Sequence, residues 1–244
     1  TFGDELTNEL VAEAIAHNTD LRAAAARVMR SQALLGVASG QRWPSIDAAL
    51  QRNRSQSTFD FGGGRMSNIN STYTLQANIA WQVDLFGKLR RTQQKAWLEM
   101  LATRADREAV LHSVVAQVVL TRAEVAVLQR QLAINRANTA SLIETRDIVQ
   151  RRYDGGVTTA LDLRLARENV AASRAAEPEL EYRLRAAMLS LDVLVGRKPG
   201  DAEPLADTLS ELPPTDPPPT GLPVALLDRR PDLVSAELRA AAEQ

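Results

Sequence analysis

Residues 72–85 read TYTLQANIAWQVDL, and their side chains alternate between two sets along the whole stretch. One set is polar apart from Ala80, and the other is apolar: Tyr73, Leu75, Ala77, Ile79, Trp81, Val83 and Leu85. A period of two places successive side chains on opposite faces of a β-strand. The stretch therefore predicts a strand with one apolar and one polar face.

A shorter alternation of the same kind precedes this stretch. After the residues WPSI at 43–46, the apolar Ile46, Ala48 and Leu50 alternate with Asp47, Ala49 and Gln51. Residues 57–70, STFDFGGGRMSNIN, are polar and rich in glycine, which favours a loop. Together these segments predict a β-hairpin with arms of about ten residues or more and a long loop between them.

A very long helix is predicted after the hairpin. Residues 88–154 contain no Gly and no Pro, and apolar residues recur there at alternate steps of four and three, the spacing of a coiled-coil seam. The apolar seam residues are Val114, Val118, Val125, Leu128, Leu132, Leu142 and Val149, and the polar ones are Thr121, Asn135, Thr139 and Arg146. A continuous helix of this length would measure roughly 100 Å.

Shorter helical patterns lie on both sides of these segments. One covers residues 4–17, and a second, capped by Asn18, runs to about Ser39. Residues 154–163, DGGVTTALDL, reverse the chain, and a further helix runs from about 160 to 195. Pro178 should kink or break that helix near Glu177. Residues 199–223 form a Pro-rich connector, in which neither a regular helix nor a central strand is expected.

The end of the chain repeats its beginning. Residues 221–244 align with residues 9–32 at an offset of 212, and both segments contain a helix, a polar turn, an Asp-Leu pair and an Ala-rich helix. The identical pairs are Leu10/Leu222, Asp20/Asp232, Leu21/Leu233, Ala24/Ala236, Arg27/Arg239 and Gln32/Gln244. This order indicates an internal duplication, so we expect one complete repeat followed by the start of a second.

The composition does not indicate a catalytic or nucleic-acid-binding protein. The 29 basic and 30 acidic residues nearly cancel, and no basic block suggests a nucleic acid partner. There is no Cys, and the isolated His17 and His112 are expected at surface or seam positions rather than as metal ligands. No nucleophile elbow, phosphate loop or paired-carboxylate motif occurs. We therefore predict no catalytic residue, no metal site and no cofactor, and an enzyme is the weakest interpretation.

A membrane accounts for the strand pair better than an ordinary sheet does. A tilted strand of about 9–11 residues spans a bilayer, and only a closed barrel satisfies its backbone polar groups there. Because such barrels need about eight strands, several chains would have to share one barrel. The lipid-facing residues would be Tyr73, Leu75, Ala77 and Ile79, and Trp43 and Trp81 would form an aromatic belt at the interface. The alternative is a sheet packed on a helix, with both Trp residues in ordinary packing.

Four motifs resemble the TolC-like outer membrane factors, in particular the outer membrane efflux proteins of tripartite drug-exporting systems. The motifs are WPSI (43–46), WQVDLFGKLRR (81–91), RRYDGGVTTALDL (151–163) and LLDRRPDLVSAELRAA (226–241), and together they extend over nearly the whole chain. The resemblance implies a mainly α fold with a β-hairpin. Long antiparallel coiled-coil helices would form a segment of an α-barrel, and the two strands would belong to a transmembrane β-barrel shared within a trimer.

The resemblance also implies how the chain is divided. Residues 1–43 would be the equatorial and first helices, 44–86 the β-barrel hairpin, and 87–196 the long helical hairpin of a periplasmic tunnel. Residues 197–223 would be a Pro-rich equatorial connector, and 224–244 the start of the second repeat. Family members are longer, and neither the lead that bears an acylated Cys in many of them nor the second helical hairpin with its gate carboxylates is found in this sequence.

The function implied by the resemblance is that of the outer membrane channel of a tripartite efflux pump. The protein would be a homotrimer in the outer membrane of a Gram-negative bacterium, extending into the periplasm, and a passive duct for drugs or other small molecules. Its partners would be a periplasmic adaptor, an inner-membrane pump and outer membrane lipid, with no nucleic acid. The alternative is a non-channel periplasmic coiled-coil adaptor or scaffold. The long alternating strand and the lack of flanking domains rich in Gly and Val argue against it.

The turn between the two long helices matches the family's adaptor-contact motif at Gly156, Val157, Thr158, Asp162 and Leu163. Gly155 and Gly156 permit a tight reversal, and a Thr at 158 or 159 can cap the next helix. The alternatives are a plain helix–helix turn with a buried Val157 and an ordinary first-turn role for Asp162.

Asp47 and Asp84 lie on the polar face of the strand pattern. On that face, both carboxylates would line the lumen of the channel. The alternative is an interaction with Lys88 or Arg90 at the junction between strand and helix.

Overall fold

The structure is a computed structural model that describes residues 4–60, 62, 64–200 and 229–243. The elements are α1 (Glu5–His17), α2 (Thr19–Gly40), β1 (Ser45–Asp60), β2 (Arg65–Ala80), α3 (Lys88–Asp154), α4 (Ala160–Val195) and α5 (Pro231–Ala242). A mainly α fold with one β-hairpin was predicted and is confirmed. Most of the Pro-rich connector predicted at 199–223 lies outside the described residues.

The chain divides into two compact units. One consists of residues 1–27 and 104–234, and the other of residues 28–103 and 235–244. The first unit contains α1, α4 and most of α3. The second contains the hairpin and most of α2 and α5.

Helix α3 runs without a break for 67 residues, which confirms the prediction of one continuous helix. In the first unit its seam enters a core shared with α1, α2 and α4, formed by Leu10, Ala14, Leu21, Val114, Val118, Leu191 and Val195. Farther along, Val125 and Leu128 cluster with Ala187 of α4. By length and composition alone, α3 also has a stretch apolar enough to cross a membrane. Its contribution to this core is one reason for that apolar composition.

Polar seam positions of α3 pair with α4. Asn135 Nδ2 donates to the backbone oxygen of Ser173 over 3.3 Å, and the hydroxyls of Thr139 and Ser173 lie 2.7 Å apart. Buried polar groups need such partners, since an unsatisfied one would destabilise the fold. Two of the polar seam positions of α3 therefore have hydrogen-bond partners in α4.

A kink or a break was predicted at Pro178, and the break is wrong, because α4 continues over 36 residues. Arg136 of α3 contacts α4 on both sides of the proline. Its Nε lies 2.6 Å from Glu177 Oε1 and its Nη2 lies 2.5 Å from Glu181 Oε1. The hydrogen bond with Glu177 is the main reason that the pKa of Arg136 is raised. Proline removes one backbone hydrogen bond, and pairing with α3 stabilises the helix in spite of that loss.

The ends of α1 and α4 meet in the first unit. Asn18 caps α2, because its Oδ1 accepts hydrogen bonds of 2.8 and 3.1 Å from two backbone N–H groups of that helix. Its Nδ2 donates to the backbone oxygen of Leu194 over 2.8 Å. Gly196 ends α4 with φ of 84°, and a Cβ there would lie 2.6 Å from the His17 oxygen. This close approach requires a glycine at 196.

A buried charge in the first unit was not predicted. Arg122 of α3 is 1 % exposed, and its Nε lies 4.0 Å from Asp4 Oδ2. The arginine directly follows the seam position Thr121 in the sequence, and no pattern distinguishes it from the exposed arginines of α3.

The hairpin is longer than predicted. Each strand has 16 residues, and the antiparallel register runs from the Ser45–Ala80 pair to the Asp60–Arg65 pair. The predicted loop at 57–70 is therefore wrong outside residues 61–64. Its polar side chains had indicated a loop, but strand pairing depends on backbone hydrogen bonds, which polar residues make equally well. Strand β2 also ends at Ala80, although the alternation continues to Leu85.

Asp84 caps α3 and therefore acts at the strand–helix junction. Its carboxylate accepts hydrogen bonds from the backbone N–H groups of Leu89 (3.1 Å) and Arg90 (3.0 Å). Desolvation raises the pKa of Asp84, but these hydrogen bonds outweigh it, so the pKa lies below its ordinary value. Asp84 thus interacts with Arg90 through the backbone amide of that residue.

Helix α5 begins at the position that the proposed duplication predicts. Its first residue, Pro231, corresponds at the offset of 212 to Thr19, the first residue of α2. Both helices have an aspartate in the first turn, Asp20 and Asp232. The duplication itself stays a prediction.

Candidate functional site

Two glycines form the turn between α3 and α4. Gly156 has φ of 72°, in the left-handed region that glycine adopts without strain. Its N–H donates to the Tyr153 oxygen over 2.9 Å, and the N–H of Val157 donates to the Arg152 oxygen over 2.8 Å. This pair of bonds is a Schellman motif, which satisfies the last carbonyl groups of α3 and ends the helix.

Helix α4 begins with a capping box that follows this turn. Thr159 is the N-cap, and its side chain accepts a hydrogen bond from the Asp162 N–H over 3.2 Å. In return, Asp162 Oδ2 accepts hydrogen bonds from the Thr159 N–H and from the hydroxyls of Thr158 and Thr159, over 2.6 to 3.0 Å. These bonds lower the pKa of Asp162, and the bond from the Thr159 hydroxyl has the largest effect. Asp162 and the two threonines therefore hold the turn in one conformation.

Only part of the predicted contact motif presents a surface. Val157 is 78 % exposed, so the alternative of a Val buried in the turn does not apply to this chain. Leu163 is only 6 % exposed, so its side chain supports the hairpin and is not available to a partner in this conformation. Thr158 is half-buried and Asp162 is exposed, with its carboxylate engaged in the cap. Among the residues of this motif, Val157 is thus the one with an exposed apolar side chain.

The apolar face of the hairpin is exposed along both strands. The register pairs Ile46 with Ile79, Ala48 with Ala77, Leu50 with Leu75 and Arg52 with Tyr73. All of these residues are exposed, including the predicted lipid-facing set Tyr73, Leu75, Ala77 and Ile79. The part of the chain that the structure describes contains a single sheet of two strands, β1 and β2.

The two predicted belt residues lie at the helix end of the hairpin. Trp43 and Trp81 are both exposed. Trp81 Nε1 donates to the Arg42 backbone oxygen over 3.3 Å, which holds the indole at the junction between α2 and β1. At the other end of the apolar face, the Arg52 guanidinium lies 5.5 Å from the Tyr73 ring centroid. Arg52 was not among the residues predicted from the sequence, although the alternation of β1 continues through it.

The described residues contain no group of three or more acidic or histidine side chains that could hold a metal ion. His17 and His112, which were expected at surface or seam positions, are both exposed.

Comparison with known proteins identifies the family. The family model described as outer membrane efflux protein matches residues 10–197. The probable efflux pump outer membrane protein SepC of Pseudomonas putida is 29 % identical over 239 residues, which are 98 % of this chain and 49 % of SepC. The pyoverdine export outer membrane protein OpmQ of Pseudomonas aeruginosa is 29 % identical over 251 residues, covering 100 % of this chain and 52 % of OpmQ.

The fold is shared with a solved channel. The structure of the outer-membrane channel OprN matches with a TM-score of 0.82 and 29 % sequence identity, covering 99 % of this chain and 54 % of that one. This chain spans about half the length of the relatives that it matches. The motif-based resemblance and the predicted fold class are both confirmed. We conclude that this chain is a member of the outer membrane efflux protein family and belongs to the outer membrane.

Proposed function

We propose that the protein containing this chain is the outer membrane channel of a tripartite efflux pump. It acts as a passive duct for small molecules, without catalysis, and its two strands contribute to a transmembrane barrel shared by several copies. The main support is the exposed apolar face of the hairpin. An isolated two-stranded sheet is marginally stable in water, and this one exposes a row of apolar side chains that lipid would cover. The relatives named for efflux or for pyoverdine export favour a small-molecule cargo.

The proposed homotrimer is supported by a groove on the first unit. Apolar side chains of α1 and α3 line this groove without a covering element in the described residues: Ile15, Leu111, Val115, Ala116, Val119 and Leu120. A second copy of the protein is the occupant that we propose. Burying Leu120, which is 69 % exposed, would contribute about 1–2 kcal/mol for each copy.

The groove can be tested by comparing two lysine substitutions on the same helix. Leu120→Lys should reduce the amount of trimer in the outer membrane, because it places a charge in the groove. Gln131→Lys, at another exposed position of α3, is the matched control and should leave trimer yield unchanged. Equal yields for both variants, measured by native gel electrophoresis of the full-length protein, would contradict the assignment of this groove to assembly.

We further propose that the α3–α4 turn contacts the periplasmic adaptor through Val157. The turn is held rigid by the Schellman motif and the capping box, so that an exposed apolar side chain is presented at a fixed position. Val157→Asp would place an unpaired charge in this contact and should weaken it. Because Val157 has little packing to lose, folding and trimer level should stay normal.

The measurement is drug susceptibility together with crosslinking to the adaptor in cells producing the full-length protein. Ala133→Asp, which adds the same charge at an exposed position of α3 away from the turn, is the control. Loss of export and crosslinking in Val157→Asp alone supports docking at the tip. Normal export and crosslinking in that variant would rule it out.

A further inference from the structure

Arg52 and Arg54 of β1 lie on the apolar face of the hairpin, and Arg65, the register partner of Asp60, lies on the same face at the far end of β2. Along β1 this face contains Ile46, Ala48 and Leu50, and the same alternation then places Arg52 and Arg54 on it. Within Ser45–Asp60 and Arg65–Ala80, the opposite, polar face has no Arg and no Lys. If the arginines served only to keep the strand hydrated, the polar face would be the expected place for them. Their position on the apolar face therefore needs another explanation.

Tyr73 joins these arginines at the end of the apolar row. It is the register partner of Arg52, and the guanidinium lies 5.5 Å from the centroid of its ring, within the range of a cation–π interaction. Arg54 is two residues farther along, about 6.6–6.8 Å from Arg52 on the same face. Arg54 is exposed and has no ion-pair partner among the described residues. The result is a small basic surface directly beyond the last apolar pair.

The height of this surface matches a membrane boundary. Trp81 and Tyr73 are eight residues apart, which is about 27 Å along an antiparallel strand. At the strand tilt of about 35–45° in outer membrane barrels, this becomes about 19–22 Å along the membrane normal, close to the roughly 25 Å height of the apolar band. With Trp81 at one edge, Tyr73 is then at the other, and Arg52 and Arg54 are at the level of lipid headgroups.

We propose that Arg52, Arg54 and Tyr73 form a binding site for the phosphate group of an anionic membrane lipid. The inference depends on the proposed function, since it requires the apolar face to contact lipid. A guanidinium donates paired hydrogen bonds to phosphate oxygens, and two of them on one face match the negative charge of such a headgroup. The contact with Tyr73 orients Arg52 toward this position, and the acyl chains would lie on Leu50 and Leu75 below it.

The test measures lipid binding to the full-length protein by native mass spectrometry. The trimer is released from nanodiscs that contain equal amounts of phosphatidylglycerol and phosphatidylcholine. Arg52→Gln with Arg54→Gln removes both guanidinium groups. The matched control is Arg54→Asn with Asn53→Arg, which keeps the composition and the net charge but moves one guanidinium to the opposite face.

Each arginine removed should lower the apparent affinity for phosphatidylglycerol about 5-fold, and the double variant should lose about 30-fold. The exchange variant should resemble a single loss, because its charge no longer faces the lipid. Affinity for phosphatidylcholine should change little in any variant. Millimolar inorganic phosphate should not displace the bound lipid, since it lacks acyl chains for the apolar face.

Three outcomes would overturn the inference. If both variants retain the wild-type preference for phosphatidylglycerol while trimers insert normally, the headgroup site is wrong and the channel assignment is unaffected. If inorganic phosphate displaces the lipid, the arginines bind free phosphate instead. If the wild-type protein does not insert into the nanodiscs, the proposed function fails and the headgroup site fails with it.

Discussion

Replacing Ala77 by arginine tests whether the hairpin faces lipid, and the structure sets the size of the effect. Ala77 lies four residues from Tyr73 and four from Trp81, or about 13 Å along the strand from each. At a tilt of about 35–45° these distances are about 10 Å along the membrane normal, so Ala77 is near the bilayer midplane. The side chain is exposed and its cross-strand partner is Ala48, so the larger residue causes no overpacking within the hairpin.

Arginine at the midplane of a barrel costs about 2–4 kcal/mol in each copy. This corresponds to a decrease of about 30- to 900-fold in the folding equilibrium. The control is Gln76→Arg, one residue away on the polar face, which should cost far less because that side chain faces water. Tyr73→Arg should also be mild, since the penalty falls to about 0–1 kcal/mol near the interface.

The assay is reversible denaturant unfolding of the full-length protein in lipid vesicles, with trimer yield in the outer membrane as a second measurement. The order of destabilisation should be Ala77→Arg well above Tyr73→Arg and Gln76→Arg. If Ala77→Arg and Gln76→Arg have the same free energy of unfolding, the apolar face does not contact lipid. The hairpin would then pack on protein, and the non-channel scaffold would become the better interpretation.

Two further predictions concern the helices. Gly196→Ala should destabilise the protein by more than the roughly 1–2 kcal/mol that a left-handed backbone costs an L-residue, because its Cβ would also lie 2.6 Å from the His17 oxygen. The control Gly36→Ala, in open space within α2, should instead stabilise the protein by about 0.5–1 kcal/mol. Equal free energies of unfolding for the two variants would refute the argument. The pKa of Asp162 is lowered in the folded state by its hydrogen bonds with Thr159, so its contribution is complete above the ordinary pKa of about 3.9 and is lost as the pH falls through the lower folded value. Hydrogen exchange of residues 158–166, corrected for intrinsic rates, should therefore accelerate in acid in the wild type, and the Asp162→Asn variant should lack this additional pH dependence.

The features that depend on neighbouring residues in the chain could be predicted from the sequence. Helix α3 follows from a stretch without Gly or Pro and from its seam spacing, and the central part of the hairpin follows from the alternation at 72–80. The turn at Gly156 and the cap of α4 follow from residue types with strong local preferences. At the α1–α2 corner, the cap at Asn18 was predicted for the same reason. These properties are local, so a single sequence contains the information for them.

The features that were mispredicted or missed depend on contacts between distant segments. Pro178 stays within a helix while Arg136 of α3 pairs with Glu177 and Glu181 on its two sides. The polar residues at 57–60 and 65–70 form strand because each arm supplies the backbone partners of the other. Leu163 belongs to the motif at the tip but is buried, whereas Val157 is exposed. The sequence by itself determined the long helix, the central part of the strand pair and the turn at Gly156, because these depend on local preferences. Only the tertiary structure decided which side chains remain free for lipid or a partner, because burial depends on residues far away in the chain.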